Sequence, residues 1–264
     1  MQLCLPFRVD YYLVGSDAVL RLSSLLRLFQ EAAIRHADAR GFGGPDMARK
    51  GWGWVLYRLE VEVFRYPQFG EEVEVVTRLG GWKGMKAYRH FELFRKEECL
   101  ARGLSVWFLL DAVSRRPLHL GEELFSSVRS EPGFPPPVPA GEWKPGRDFT
   151  AQRELEITSR WSDIDTNGHV NNTAYADFVE SALARDHRFP GLKNFRIQYN
   201  HEISREVGAV RVAWAVSGDR CFFRISDPGQ VCAVGDGTLL PPEERLPARS
   251  AFRSLEESVN ARRD

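Results

Sequence analysis

Two stretches of this chain repeat one apolar rhythm. Leu22, Leu25, Leu26, Phe29, Ala32 and Ala33 recur at helical spacing, which predicts a helix from about Ser23 to Ala39, capped by Ser23 or Ser24 and ended by Gly41 and Gly43. Tyr175, Phe178, Val179, Ala182 and Leu183 form a matching stripe, with Asn171 or Asn172 as cap and Pro190-Gly191 as terminator. After each helix the period drops to two. Leu59, Val61 and Val63 alternate with Arg58, Glu60 and Glu62, and strand patterns follow at Glu71 to Leu79, Tyr88 to Arg95 and Leu100 to Leu110. The second helix is followed in the same way by Phe195 to Ile203, Val210 to Val216, Phe222 to Ser226 and Val231 to Leu240. A strand is expected before each helix, at Phe7 to Leu13 and at Leu155 to Trp161.

The two halves superpose in sequence at a shift of 150, which lays Phe29-Gln30-Glu31-Ala32 on Val179-Glu180-Ser181-Ala182. A helix followed by a meander, written twice, implies an α+β architecture in which each helix lies against one face of a curved antiparallel sheet. Pro132, Pro135, Pro136, Pro137, Pro139 and Pro145 stiffen the stretch between the copies, so a linker is expected over Gly121 to Arg147. The chain then divides into a first repeat (1–120), the linker (121–147), a second repeat (148–240) and a charged tail (241–264).

Only the second copy carries a dense set of reactive groups. Trp161-Ser162-Asp163-Ile164-Asp165-Thr166-Asn167-Gly168-His169-Val170-Asn171-Asn172 runs into the second helix, and the shift of 150 places Asp165, Asn167 and His169 on Gly15, Asp17 and Val19. A loop needed only for folding would call for similar residues in both copies, so the asymmetry points to chemistry. Asp163, Asp165, Asn167 and Gly168 do fall on positions 1, 3, 5 and 6 of an EF-hand loop. Position 12 is Ala174, however, and the residues before Asp163 read as a strand. The histidines make no HExxH pair, so neither metal nor other cofactor is expected.

Composition narrows the classes further. With 264 residues, 43% of them hydrophobic, the chain can fill a large core, and its 36 basic and 36 acidic side chains cancel, which disfavours nucleic acid as a partner. No apolar run reaches the length of a membrane span, and Met1 to Phe7 is too short for a secretory signal. Cys4, Cys99, Cys221 and Cys232 form no CxxC pair and read as free thiols, so a cytoplasmic protein is expected.

The segment Asp165-x-Asn167-x-His169-x-Asn171-Asn172, followed by Tyr175 and Glu180, resembles the active-site segment of acyl-acyl-carrier-protein (acyl-ACP) thioesterases. Leu22-Ser23-Ser24-Leu25-Leu26 leading to Gln30-Glu31-Ala32-Ala33 and His36 is similar to that family's first helix. The resemblance implies two fused hotdog domains, each a long helix wrapped by a curved antiparallel sheet, the sheets joined side by side, with catalysis in the second. It also implies a further acidic residue after the second helix. Tyr199-Asn200-His201-Glu202 matches that place and gives Glu202; plant members follow it with a cysteine, where this chain has Ile203. Aligning the strands by Gly70 and Gly208 sets Phe64 opposite Glu202.

Thioester hydrolysis needs an activated water, a fixed carbonyl and a donor for the oxyanion. The expected roles are Glu202 as base, Asn167 positioning the water or thioester, and Asp165 orienting His169, which donates to the oxyanion or leaving thiolate. Alternatively, Asp165 is the base or nucleophile. Backbone N–H groups up to Asn171 and Asn172 can join the oxyanion site. Tyr175 belongs to the apolar stripe, and Glu180 faces a polar partner at the repeat interface or holds the loop. The first repeat is expected to hold the acyl chain, with Leu26, Phe29, Met47, Trp52 and Trp54 as wall candidates. The implied partner is an acyl carrier protein bearing a phosphopantetheine-linked chain, with Arg185, Arg188, Lys193 and Arg196 as candidate cations for it. An acyl-coenzyme A thioesterase and a silent acyl-binding protein are the rival readings. Fused repeats already supply the pair that single hotdog domains form, so a monomer or a homodimer is expected.

Overall fold

The computed structural model describes residues 2–121, 143–146, 149–186, 191–241 and 244. Most of the proline-rich linker, His187 to Pro190 and nearly all of the charged tail lie outside the described residues. The first half runs β1 (Leu3–Arg8), α1 (Leu22–Asp38), α2 (Gly44–Arg49), β2 (Trp52–Val63), β3 (Glu72–Lys83), β4 (Lys86–Arg95) and β5 (Glu98–Asp111). The second runs β6 (Arg153–Thr158), α3 (Ala174–Leu183), β7 (Leu192–Tyr199), β8 (Ala209–Ser217), β9 (Arg220–Ser226) and β10 (Val231–Leu239).

All ten strands form one antiparallel sheet in the order β1-β3-β4-β5-β2-β7-β10-β9-β8-β6. Read from either edge the order is the same, so the halves are related by a pseudo-two-fold at the β2–β7 seam. There Leu59 pairs with Ile197 and Val61 with Phe195. Each half is a helix against a bent antiparallel sheet, and the sheets join side by side, as expected. Register shifts at Leu56/Arg58 and Leu79/Trp82 mark bulges, which bend strands around a helix.

The apolar stripes meet in a core that crosses the seam. Phe29 stacks on Phe91 at 4.8 Å, and in the other half Phe195 stacks on Phe223 at 5.5 Å. Gly103 makes the first stack possible: a Cβ there would stand 2.9 Å from the Phe29 ring.

Several local expectations shift. The strands before the helices lie earlier than expected, because Tyr11–Leu13 and Trp161–Asp163 form 3-10 turns. Neither Ser23 nor Ser24 caps α1. Its first amides are taken by the carboxylate of Glu180 on α3, with Leu22 N–H donating at 2.9 Å and Ser23 N–H at 3.2 Å. The N-cap of the second helix is Thr173, without a side-chain cap bond, and Asn171 instead braces the turn before it, accepting from the Thr173 N–H at 2.9 Å and its hydroxyl at 2.8 Å. α2 was not foreseen, and among the described residues the second half has no counterpart.

Candidate active site

The polar loop is a backbone design used twice. Asp165 N–H donates to the His169 carbonyl at 2.9 Å and Gly168 N–H to the Asp165 carbonyl at 3.0 Å; in the first half Gly15 and Val19, and Ala18 and Gly15, make the same bonds at the same lengths. Gly168 sits at φ +80 and its counterpart Ala18 at φ 58, so both copies use a left-handed turn. The scaffold is shared and the side chains differ. The hydrogen bonds also correct one correspondence. Val170 N–H binds the Ile203 carbonyl as Leu20 N–H binds that of Pro67, which sets Tyr66, not Phe64, opposite Glu202. The first half still lacks a carboxylate there.

Within the loop, Asp165 accepts from the Asn167 N–H at 2.8 Å and more distantly from its side-chain amide at 3.5 Å. Its carboxylate does not reach the His169 ring among the described residues. His169 instead presents Nε2 to Glu202 at 3.4 Å, and Glu202 accepts from Arg115 at 2.8 Å. Arg115 comes from the turn after β5, so the first half reaches across to fix this carboxylate. The expected pairing of Asp165 with His169 is thus replaced by two pairs, Asp165 with Asn167 and Glu202 with His169. The Asp165 carboxylate is engaged instead by the Asn167 N–H two residues on. Asp163 is structural: nearly fully buried, it accepts from the Arg160 N–H and guanidinium.

A cavity of about 510 Å³ opens beside the loop. Asp165, Thr166, Asn167 and Asn172 form its edge, and Met47, Trp52, Trp54 and Trp107 of the first half form much of its wall. α2 makes this wall by covering an apolar cluster of Phe42, Met47, Ala87, Leu109 and Leu120, a cluster separate from the main core. Leu26 and Phe29 line a neighbouring void of about 40 Å³ that Asn172 and Gln30 also border. His169 and Glu202 do not border the large cavity. Tyr175 does not either: it is 1% exposed and packs edge-on against Tyr199 at 5.2 Å.

The helix interface carries a second asymmetry. Arg27 and Asp177, counterparts at a shift of 150, pair with each other across the two-fold. Glu180 fills the start of α1, and burial pushes its pKa up to about 7 against the pull of the Leu22 and Ser23 amides. Its counterpart, Gln30, borders the cavity beside Asn172. Among the described residues nothing accepts a hydrogen bond from the Asn172 N–H, the counterpart of the Leu22 N–H. One helix start is filled by a carboxylate and the other faces the cavity.

Arg115, Thr166 and Gln30 were not assigned to the site from sequence. Arg115 lies in a turn at φ 55 that no periodicity marks, while Gln30, on the first helix, reads from sequence as an interface polar group before a pocket-lining one. Of the candidate cations, Arg196 is held by Asp236 at 2.7 Å, and Arg188 lies outside the described residues. No group of side chains suited to a metal occurs among the described residues.

Family models described as the acyl-ACP thioesterase N-terminal domain and C-terminal domain match residues 5–128 and 146–224. A chloroplastic palmitoyl-acyl carrier protein thioesterase of Arabidopsis thaliana is 30% identical over 87% of this chain and 57% of its own length. A chloroplastic dodecanoyl-[acyl-carrier-protein] hydrolase of Cinnamomum camphora is 30% identical over 86% of this chain and 61% of its own. The chain spans about half the length of the curated relatives it matches. Among solved structures, the 12:0-ACP thioesterase from Umbellularia californica aligns with a TM-score of 0.79 at 26% identity, over 91% of this chain and 97% of that one. A putative oleoyl thioesterase from Lactobacillus plantarum shares the fold, with a TM-score of 0.81 at 22% identity over 91% and 97%.

Proposed function

Because this chain belongs to the acyl-ACP thioesterase family, we propose that it hydrolyses the thioester between a fatty acyl chain and the phosphopantetheine arm of an acyl carrier protein. The observation that carries this reading is the placement of Asp165 and Asn167 at the edge of a cavity walled by Met47, Trp52, Trp54 and Trp107. The acyl chain occupies that cavity, in the first repeat, and the thioester lies at the loop of the second. Asp165, the carboxylate bordering the cavity, is the base. It takes a proton from water as the water oxygen bonds to the thioester carbon, with Asn167 fixing the Asp165 carboxylate and the water.

The developing oxyanion is met by the Asn172 N–H at the start of α3. Glu180 supports that assignment, since its carboxylate sits on the corresponding amides of α1, the place the reacting oxygen would take on α3. When the tetrahedral intermediate collapses, the C–S bond breaks and the thiolate takes a proton from His169. Glu202, held by Arg115, fixes the His169 ring and acts through it. Asp165 borders the cavity and Glu202 does not, which supports Asp165 as the base.

The protein works in the cytoplasm as a monomer or homodimer. Its four cysteines, all unpaired, suit a reducing compartment, and among the described residues no helix is long and apolar enough to cross a membrane. The test is thiol release from matched acyl-carrier-protein and acyl-coenzyme A thioesters by the wild type, Asp165→Asn and Glu202→Gln. Wild-type turnover favouring the carrier protein, abolished in Asp165→Asn and reduced in Glu202→Gln, is expected. Full turnover by Asp165→Asn would overturn the assignment, and preference for coenzyme A would move the substrate.

A further inference from the structure

Arg89 is a charged side chain in the apolar phase of its strand. Ala87, Arg89, Phe91 and Leu93 alternate along β4 and are all buried, with Arg89 at 6% exposure. Its Nη1 lies 2.9 Å from His36 Nδ1 and donates to the Thr77 hydroxyl at 3.2 Å. Thr77 gives its own proton to the His90 carbonyl at 3.1 Å, so it meets Arg89 through a lone pair. A guanidinium can only donate, so His36 accepts through Nδ1 and carries its ring proton on Nε2.

Both partners are uncharged, and among the described residues no carboxylate pairs with Arg89. Other partly enclosed arginines are paired: Arg196 with Asp236 and Arg65 with Glu71. Burial without a counter-charge pushes the Arg89 pKa down to about 10. Among the described residues only Nη1 has partners, which leaves the N–H groups of Nε and Nη2 to meet a ligand. Arg89 and His36 both border the cavity, among Trp54, Met47 and Trp107. A ligand made of hydrocarbon alone would leave that charge facing apolar surface, the costly arrangement for a buried ion.

Distance along α1 places the cluster relative to the loop. Gln30 lies beside Asn172, and His36 is six residues further on, roughly 9 Å at the rise of an α-helix. An extended chain advances roughly 1.2 Å per bond, so an oxygen about seven bonds from the reacting carbon reaches the cluster.

We propose that Arg89, with His36 and Thr77, forms a polar subsite in the acyl cavity that binds an acceptor oxygen on the acyl chain, a hydroxyl or a terminal carboxylate about seven bonds from the thioester. This rests on the thioesterase reading for the orientation of the chain. The subsite makes oxygenated acyl groups better ligands than plain ones of equal length.

The test uses non-hydrolysable thioether analogues of pantetheine carrying a heptyl, a 7-hydroxyheptyl or a 6-carboxyhexyl chain. Binding is read from the fluorescence of the cavity tryptophans, and turnover is measured with the corresponding thioesters. In the wild type, at least one oxygenated analogue binds about tenfold tighter than the heptyl one, a difference of about 1.4 kcal/mol. The tighter of the two tells a hydroxyl subsite from a carboxylate one. Arg89→Met erases the preference, and Arg89→Lys keeps part of it for the carboxylate. Equal binding of all three by the wild type, or an unchanged preference in a folded Arg89→Met, overturns the subsite. Preferential binding with no hydrolysis of any thioester leaves the subsite standing and removes the thioesterase reading.

Discussion

Exchanging Glu180 for glutamine removes a titrating group from the helix interface while keeping the size of the side chain. In the folded protein the carboxyl titrates at about 7, against 4.5 for a free glutamate, with burial as the main cause. Between those values the folded state binds more protons than the unfolded one. The stability that the neutral form contributes is therefore fully present below pH 4.5 and is lost as pH rises to about 7. The whole interval corresponds to about 3 kcal/mol. Glu180 keeps some solvent contact, and screening reduces the expectation to about 2 kcal/mol. Urea unfolding of wild type and Glu180→Gln at several pH values between 4.5 and 8 measures the effect, and other titrating groups cancel in the difference. The wild type is expected to lose about 2 kcal/mol more than the variant over this range. Parallel pH profiles would refute a carboxylate buried on the α1 amides.

Three further perturbations separate the parts of the account. Gln30→Glu sets a carboxylate at the start of α3 as Glu180 does at α1, so it should lower kcat well below that of Gln30→Ala; equal kcat values would remove the oxyanion assignment at Asn172. Arg115→Ala frees Glu202 and should reduce kcat/KM about tenfold. The melting temperature should not change, because that ion pair is exposed; a large loss of stability would make the pair structural. Gly103→Ala drives a Cβ against Phe29 and should cost about 1–3 kcal/mol in a thermal melt, and an unchanged melt would show that the helix has room to move.

The amphipathic stripes placed α1 within a residue at each end, because one face of that helix meets the sheet along its whole length. The same reasoning misplaced β1. The apolar residues Tyr11 to Leu13 extend the pattern of Phe7 and Val9, yet Leu3, Leu5 and Phe7 are the ones that alternate against β3. The cap of α1 was misassigned because its acceptor comes from Glu180, 158 residues from Leu22, which no local pattern can show. The polar loop was legible as a site from its density of amides and carboxylates. Which side chains meet within it was not, since backbone turns decide that Asp165 faces Asn167 while His169 faces Glu202. Arg89 left a readable trace, a cation in phase with Ala87, Phe91 and Leu93, that periodicity alone could have flagged.

Cleavage of acyl-carrier-protein thioesters by Asp165 at the edge of the cavity is the step on which the proposed function depends. Single-turnover thiol release from a long-chain acyl-acyl-carrier protein, compared between wild type and a folded Asp165→Asn, tests it most directly. Release by the wild type and a loss of about a hundredfold in the variant are expected. No release by the wild type, or undiminished release by the variant, would contradict it.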